Sequence, residues 1–215
     1  MTRQWILFSM ASLVLAGAAG ASVQKGDMQL DFLGGYLSQS GNTDLSAWFA
    51  SGSFNYFLSN YLSVGIGALG GQMQTSGGTS TMHVDAGFGG DPYDVVFEDV
   101  ERTITMYGVG GNIKLHLWPT GRWVPYIGGQ VKWVNAQVET TGTMSPSAAP
   151  ELTQPVSEET DTSGILWGPI IGFRLEINEY NDFFVEGQYH MFTGDITDFV
   201  ENGFGIFLGI IHQIQ

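Results

Sequence analysis

Cysteine is absent from the 215 residues, which excludes disulfide scaffolds and thiolate metal sites. Basic residues are scarce: seven Lys and Arg stand against 21 Asp and Glu, for a net charge of −14. A phosphate-neutralising surface cannot be built from so few, so nucleic acid is excluded as a partner. Charge of either sign is thin, at 13% of residues, about half the usual quarter. Beyond residue 21 no apolar stretch reaches the length of a helical membrane span, about 20 residues. Blocks of Ala, Leu, Glu and Lys that favour helices are also missing. What is abundant is glycine, with 31 residues, and apolar side chains, at 43%. That is too apolar for a disordered chain. It also leaves little charge to cover a water-soluble globule.

Met1 to Ala21 read as a secretory signal peptide. Arg3 supplies the positive start, Trp5 to Ala16 the apolar stretch, and Ala19-Gly20-Ala21 the small-residue cleavage site. Residues 22–215 are then expected to form one domain.

That remainder alternates with period two, the mark of strands with one apolar face. Ile165, Trp167, Pro169, Ile171, Phe173, Leu175 and Ile177 occupy one face of a segment whose other face holds Gly168, Gly172, Arg174 and Glu176. Tyr107, Val109, Ile113 and Leu115 alternate with Gly108, Gly110, Asn112 and Lys114; Ile127, Val131 and Trp133 alternate with Gly128, Gln130 and Lys132. Eight strands are predicted: 28–37, 45–58, 62–74, 102–118, 123–138, 164–178, 182–192 and 203–214. Connections after the even strands are short. Those after the odd strands are longer, above all Thr75 to Glu101 and Glu139 to Ser163. The pattern predicts an all-β fold, an eight-stranded antiparallel up-and-down transmembrane β-barrel. Its apolar side chains would face lipid and its small polar ones a narrow lumen. Both termini would be periplasmic and the long loops extracellular. A soluble β-sandwich or lipocalin-like barrel fits less well, because its outer face must be charged.

The tryptophans agree. Trp48, Trp118, Trp123, Trp133 and Trp167 all fall near predicted strand ends. Indole and phenol rings prefer the membrane–water interface, where an apolar body and a polar tip are both accommodated. Trp48, Tyr107, Trp133 and Trp167 are expected in an outer girdle. Tyr56, Tyr61, Trp118 and Trp123 are expected in an inner one.

The segment Val124-Pro125-Tyr126-Ile127-Gly128-Gly129-Gln130-Val131, set within this strand pattern, resembles a strand common in the small eight-stranded outer-membrane barrels of the OmpA/OmpX-like type. The resemblance spans the whole mature chain. It implies an integral outer-membrane protein of a Gram-negative-type cell, inserted by the barrel-insertion machinery and in contact with membrane lipid and lipopolysaccharide. It implies a monomer with no cofactor. Two departures stand out. The chain ends Ile211-His212-Gln213-Ile214-Gln215 rather than in an aromatic residue, and no peptidoglycan-binding domain follows the eighth strand.

Three roles are open. In the first, the barrel is a structural or surface-interaction protein with a plugged lumen. Lys114, Lys132, Arg174, Glu176, Glu186, Gln188 and His190 fall on the inward face and predict a polar network, with Arg174 directly opposite Glu186 on a hairpin centred near Tyr180. Opposed charges across a ladder are favourable. In the second role the same residues line a low-conductance pore. The third is a lipid A-modifying hydrolase or acyltransferase. Of His83, His116, His190 and His212, the best candidate is His190, with Asp195 and Asp198 nearby, but Ser163 is the last serine. Most acidic residues fall in the loops, including Asp85, Glu98, Glu101, Glu139, Glu158, Glu159 and Asp161. Their spacing matches no calcium loop, so they read as a solvated, self-repelling surface that could meet an extracellular ligand. Pro146, Pro150 and Pro155, with many Ser, Thr and Ala, predict a flexible third loop, and Gly87 to Pro92 a turn cluster.

Overall fold

A computed structural model of the chain describes residues 24–39, 45–75, 80–84, 93–146 and 152–214. The expected signal segment and the Gly87–Pro92 turn cluster lie outside them. Among the described residues there are nine strands: β1 (Met28–Gln39), β2 (Leu45–Phe57), β3 (Leu62–Thr75), β4 (Ser80–Val84), β5 (Tyr93–His116), β6 (Trp123–Pro146), β7 (Gln154–Asn178), β8 (Asn181–Thr193) and β9 (Gly203–Ile214). All pairings are antiparallel. Eight strands close a ring, because β1 pairs with β9 and β3 pairs with β5. β4 stands outside that ring and pairs with β5. The chain is therefore an eight-stranded up-and-down transmembrane barrel, the architecture that the OmpA/OmpX-like resemblance implies.

The side-chain parity is as expected. Phe32, Ile66, Val109, Val131, Ile171 and Ile206 are exposed on the outer wall, while Asp31, Lys114, Lys132, Arg174 and Glu186 are buried on the inner one. A closed ring leaves no sheet edge in the hydrocarbon, and an apolar outer face costs nothing there.

Four expectations need correction. The described residues of the two longest loops are largely strand. β5, β6 and β7 run to 24, 24 and 25 residues, far beyond the 9–11 or so that cross a bilayer. The described part of the third loop, expected to be flexible, is a ladder that holds register from Trp123↔Leu175 to Met144↔Gln154, and residues 147–151, with Pro150, lie outside the described residues. Consequently Trp133 and Trp167 sit in mid-strand, not at strand ends. Finally, Arg174 lies opposite Phe184, and Glu186 lies opposite Gly172. An irregularity between Glu176 and Asn178 shortens the hairpin and displaces the register from the symmetric one.

At mid-barrel the β7–β8 ladder breaks between Trp167↔Met191 and Ile170↔Gln188. Pro169 has no N–H to give. Gly168 lets the Tyr189 carbonyl approach a space that any Cβ would fill. The register resumes unchanged beyond it.

Candidate functional site

The lumen is the place where sequence-distant polar groups converge. It has two halves of opposite chemistry. The half next to the short turns is polar, and the half next to the long strands is apolar.

The polar half centres on Glu186 of β8. Its Oε2 lies 3.1 Å from the Lys114 ammonium and accepts from the Tyr126 hydroxyl at 2.9 Å. Lys114 also donates to Asp31 Oδ2 at 3.1 Å, and Asn55 donates to the same oxygen at 2.8 Å. The ammonium is 5.0 Å from the Tyr126 ring centroid and 5.6 Å from that of Phe184. Such contacts favour a desolvated cation.

Lys132 has a less direct partner. Its ammonium donates to Gln130 Oε1 at 2.6 Å, and Gln130 Nε2 donates to Gln188 Oε1 at 2.7 Å. Gln188 Nε2 in turn donates to Glu186 Oε1. Two amide dipoles thus run in one direction from a buried cation to a buried carboxylate. The relay orders Lys132 against Glu186 although, among the described residues, no carboxylate forms an ion pair with it. Within this group two ammoniums, Lys114 and Lys132, balance two carboxylates, Asp31 and Glu186. Burial of charge is tolerable only when charges are paired and bonded in this way. His190 joins through Nε2, 2.8 Å from Gln188 Oε1. Since that oxygen accepts, His190 carries its proton on Nε2.

A second ion pair lies nearer the turns. Arg174 Nε forms an ion pair with Asp182 Oδ2 at 2.9 Å, and the same oxygen accepts a hydrogen bond from Gln213 at 3.2 Å. Glu176, opposite Asp182, stays half-buried and is tied to Arg122 through its backbone. At the rim His116 Nε2 meets Ser63 Oγ at 3.1 Å, and its ring packs 4.9 Å from Phe57 and 5.6 Å from Tyr126.

Above His190 the lumen becomes hydrocarbon. His190 itself is flanked by the rings of Phe207, Phe49 and Phe192, at 5.7, 6.0 and 6.4 Å. Beyond them Leu37, Leu69, Met73, Met106, Val134 and Leu166 form one buried cluster. The connection after β8 completes it. Residues Asp195–Asp198 form a single 3₁₀ turn that tucks Ile196 and, just beyond it, Val200 into the mouth. Gly164 of β7 leaves the room that Ile196 occupies. Asn202 accepts from the Phe192 backbone at 2.9 Å and pins the far end. Arg102 reaches over the Phe199 ring at 5.7 Å.

Of the seven lumen residues expected, six are buried and Glu176 lies beside them. Lys114, Lys132, Glu186, Gln188 and His190 form one network, whereas Arg174 joins Asp182. Sequence reasoning missed Asp31, Asn55, Tyr126, Gln130 and Asp182 as members. Parity alone points Tyr126 and Gln130 inward, since both share the face of Lys132. Among the girdle residues, Trp48, Tyr56, Tyr107, Trp118, Trp133 and Trp167 are exposed on the outer wall. Trp123 is half-buried, its ring 5.3 Å from that of Phe173. Of the other histidines, His83 pairs with Asp94 at 2.7 Å on the β4–β5 hairpin. His212 faces outward and meets Asn181 at 3.0 Å. Among the described residues no cluster of His, Asp and Glu could hold a metal ion.

No protein-family model matches the chain, and no curated protein matches it in sequence. Solved structures do resemble it. Outer membrane protein OprG from Pseudomonas aeruginosa is 12% identical, with a TM-score of 0.49, over 90% of this chain and 98% of that one. The attachment invasion locus protein Ail of Yersinia pestis is 10% identical, with a TM-score of 0.44, over 89% and 100%. Neisserial surface protein A is 15% identical, with a TM-score of 0.42, over 93% and 99%. The barrel assignment rests on the strand pairing itself.

Proposed function

We propose that this chain is an outer-membrane surface protein in which the barrel is a sealed anchor and the acidic β-structure beyond it is the working part. The observation that supports this reading is that buried side chains line both halves of the barrel interior. Ion pairs and amides occupy one half, and a phenylalanine-rich cluster stoppered by Ile196 occupies the other. Eight-stranded barrels are just wide enough for side chains to fill them, and in this reading the width goes to packing. In this reading the long strands face the cell exterior, where lipopolysaccharide and extracellular ligands are the partners within reach.

The pore reading needs an aqueous path, and the catalytic one needs an accessible base. His190 is enclosed by three phenylalanine rings and bonded to Gln188, which favours a structural role for it. Planar-bilayer recording of the purified, folded protein tests the proposal. The expected result is current no greater than that of the bare bilayer. Reproducible unitary steps would overturn the sealed lumen in favour of a low-conductance pore. A lipid A mass change on expression, lost in His190→Ala, would instead favour the enzyme.

A further inference from the structure

The two halves of the lumen differ in what each could do to an ion. In the half beside the long strands, all eight strands of the ring contribute side chains to one buried apolar cluster. On β6 alone, Val134, Ala136 and Val138 take three successive inward positions, and none is more than 2% exposed. From the first to the last is about 13 Å along the strand, or roughly 10 Å along the axis of a barrel whose strands tilt by about 40°. An ion drawn into this section would exchange its water for hydrocarbon, and no charge or amide in the cluster would take the water's place. Unpaired charge in such surroundings is among the costliest arrangements a protein can hold. Water fares little better, because an apolar cavity offers it no partner.

The half beside the short turns has the opposite character. Lys114 divides itself between Asp31 and Glu186, at 3.1 Å from each. A charge held by two partners can yield one of them to an ion without being stranded. Bonding capacity is also left over. Gln29 Nε2, Asp31 Oδ1, Asn112 Oδ1 and His116 Nδ1 are buried and meet no hydrogen-bond partner among the described residues. Spare donors and acceptors together are what a water molecule or a hydrated ion uses. The change of character falls at His190, which bonds to Gln188 below and packs against the rings of Phe49, Phe192 and Phe207.

From this contrast we infer that the apolar half alone is the ion barrier of the barrel, a hydrophobic constriction that excludes ions by staying dry, and that the ion-pair network beneath it is not a gate. The inference rests on the sealed-anchor reading above and assigns the seal to one section of the lumen. Breaking an ion pair would then leave the barrel closed. Opening it would take a change of polarity in the dry section.

Planar-bilayer recording of the full barrel tests this with matched variants, each first shown to be folded by heat-modifiable migration. The triple variant L69S/V134S/L166S puts hydroxyls on three strands of the dry section and should give unitary steps. L69A/V134A/L166A opens a similar space without hydroxyls and should pass at least tenfold less current. Glu186→Gln and Lys132→Met each break the network and should pass no more than the bare bilayer. If the triple variants do not fold, Leu69→Ser and Leu69→Ala in dye-loaded vesicles make the same comparison through proton leak. Current through either network variant, silence of the serine variant, or equal passage by the serine and alanine variants would each overturn the inference. A silent wild type with a conducting Glu186→Gln variant sinks this inference alone. Steps from the wild-type barrel sink the sealed-anchor reading itself.

Discussion

The value of a buried charge here depends on how many partners it serves. Glu186 serves Lys114 and Tyr126 directly, and Lys132 through two amides. Glu186→Gln keeps the shape but leaves Lys114 with Asp31 alone and Lys132 with no counter-charge. We expect a loss of about 3–5 kcal/mol, the usual result of removing one partner from a buried pair. Lys132→Met removes a cation whose partner is remote, and should cost less. Urea unfolding of vesicle-inserted protein would rank the two, and a larger loss for Lys132→Met would refute the relay. Much of this site was legible residue by residue, because period-two parity assigns a side chain to the inner wall. The choice of partner was not. Arg174 finds Asp182 rather than Glu186 because of a local irregularity between Glu176 and Asn178, and no side-chain pattern announces an extra residue in a turn.

Among elements, the β6–β7 ladder carries the clearest lesson. Its prolines, serines and alanines resemble a linker in composition. Yet Thr140, Thr141, Thr143, Thr160 and Thr162 are all paired in register, and β-branched threonine suits a pleated surface. Pro146 and Pro155 sit near the far end of the ladder, where a missing N–H does least harm. Opposition of Glu139 and Glu159 works against the hairpin. Glu139→Gln should therefore stabilise it by roughly 0.2–1 kcal/mol, read as slower amide exchange on both strands; unchanged exchange would mean that the two carboxylates do not repel. The 3₁₀ turn after β8 makes a different prediction. A side chain at Gly164 would strike Ile196 and the Thr193 carbonyl. Gly164→Val should expel the turn, so that protease cuts within residues 194–202 while the barrel keeps its heat-modifiable migration. Resistance equal to wild type would show that the turn does not depend on that space.

At the scale of the whole molecule, the eight strands of the ring and the contrast between short and long connections were legible from alternation and spacing, whereas the strand content of the long connections was not. Nor was the apolar upper lumen. Phe49, Leu69, Met106, Val134, Phe192 and Phe207 point inward while apolar neighbours point outward, so in that half both faces look alike and alternation falls silent. The outer wall sets a depth profile. Ile66, at 70% exposure the barest large apolar residue on the wall, should cost about 2–4 kcal/mol as Lys, against roughly 0–1 for Asn135→Lys near the girdle. Equal costs in a vesicle-refolding titration would mean that the belt is misplaced. The lumen network also bears on the order of assembly. Asp31 comes from β1, Lys114 from β5 and Glu186 from β8, so no early fragment of the chain contains the full set. A partly built sheet in the bilayer would hold these charges unneutralised. Closing the β1–β9 seam and neutralising the interior are then one event, so insertion should proceed as a single all-or-none step, without a long-lived open sheet along the way.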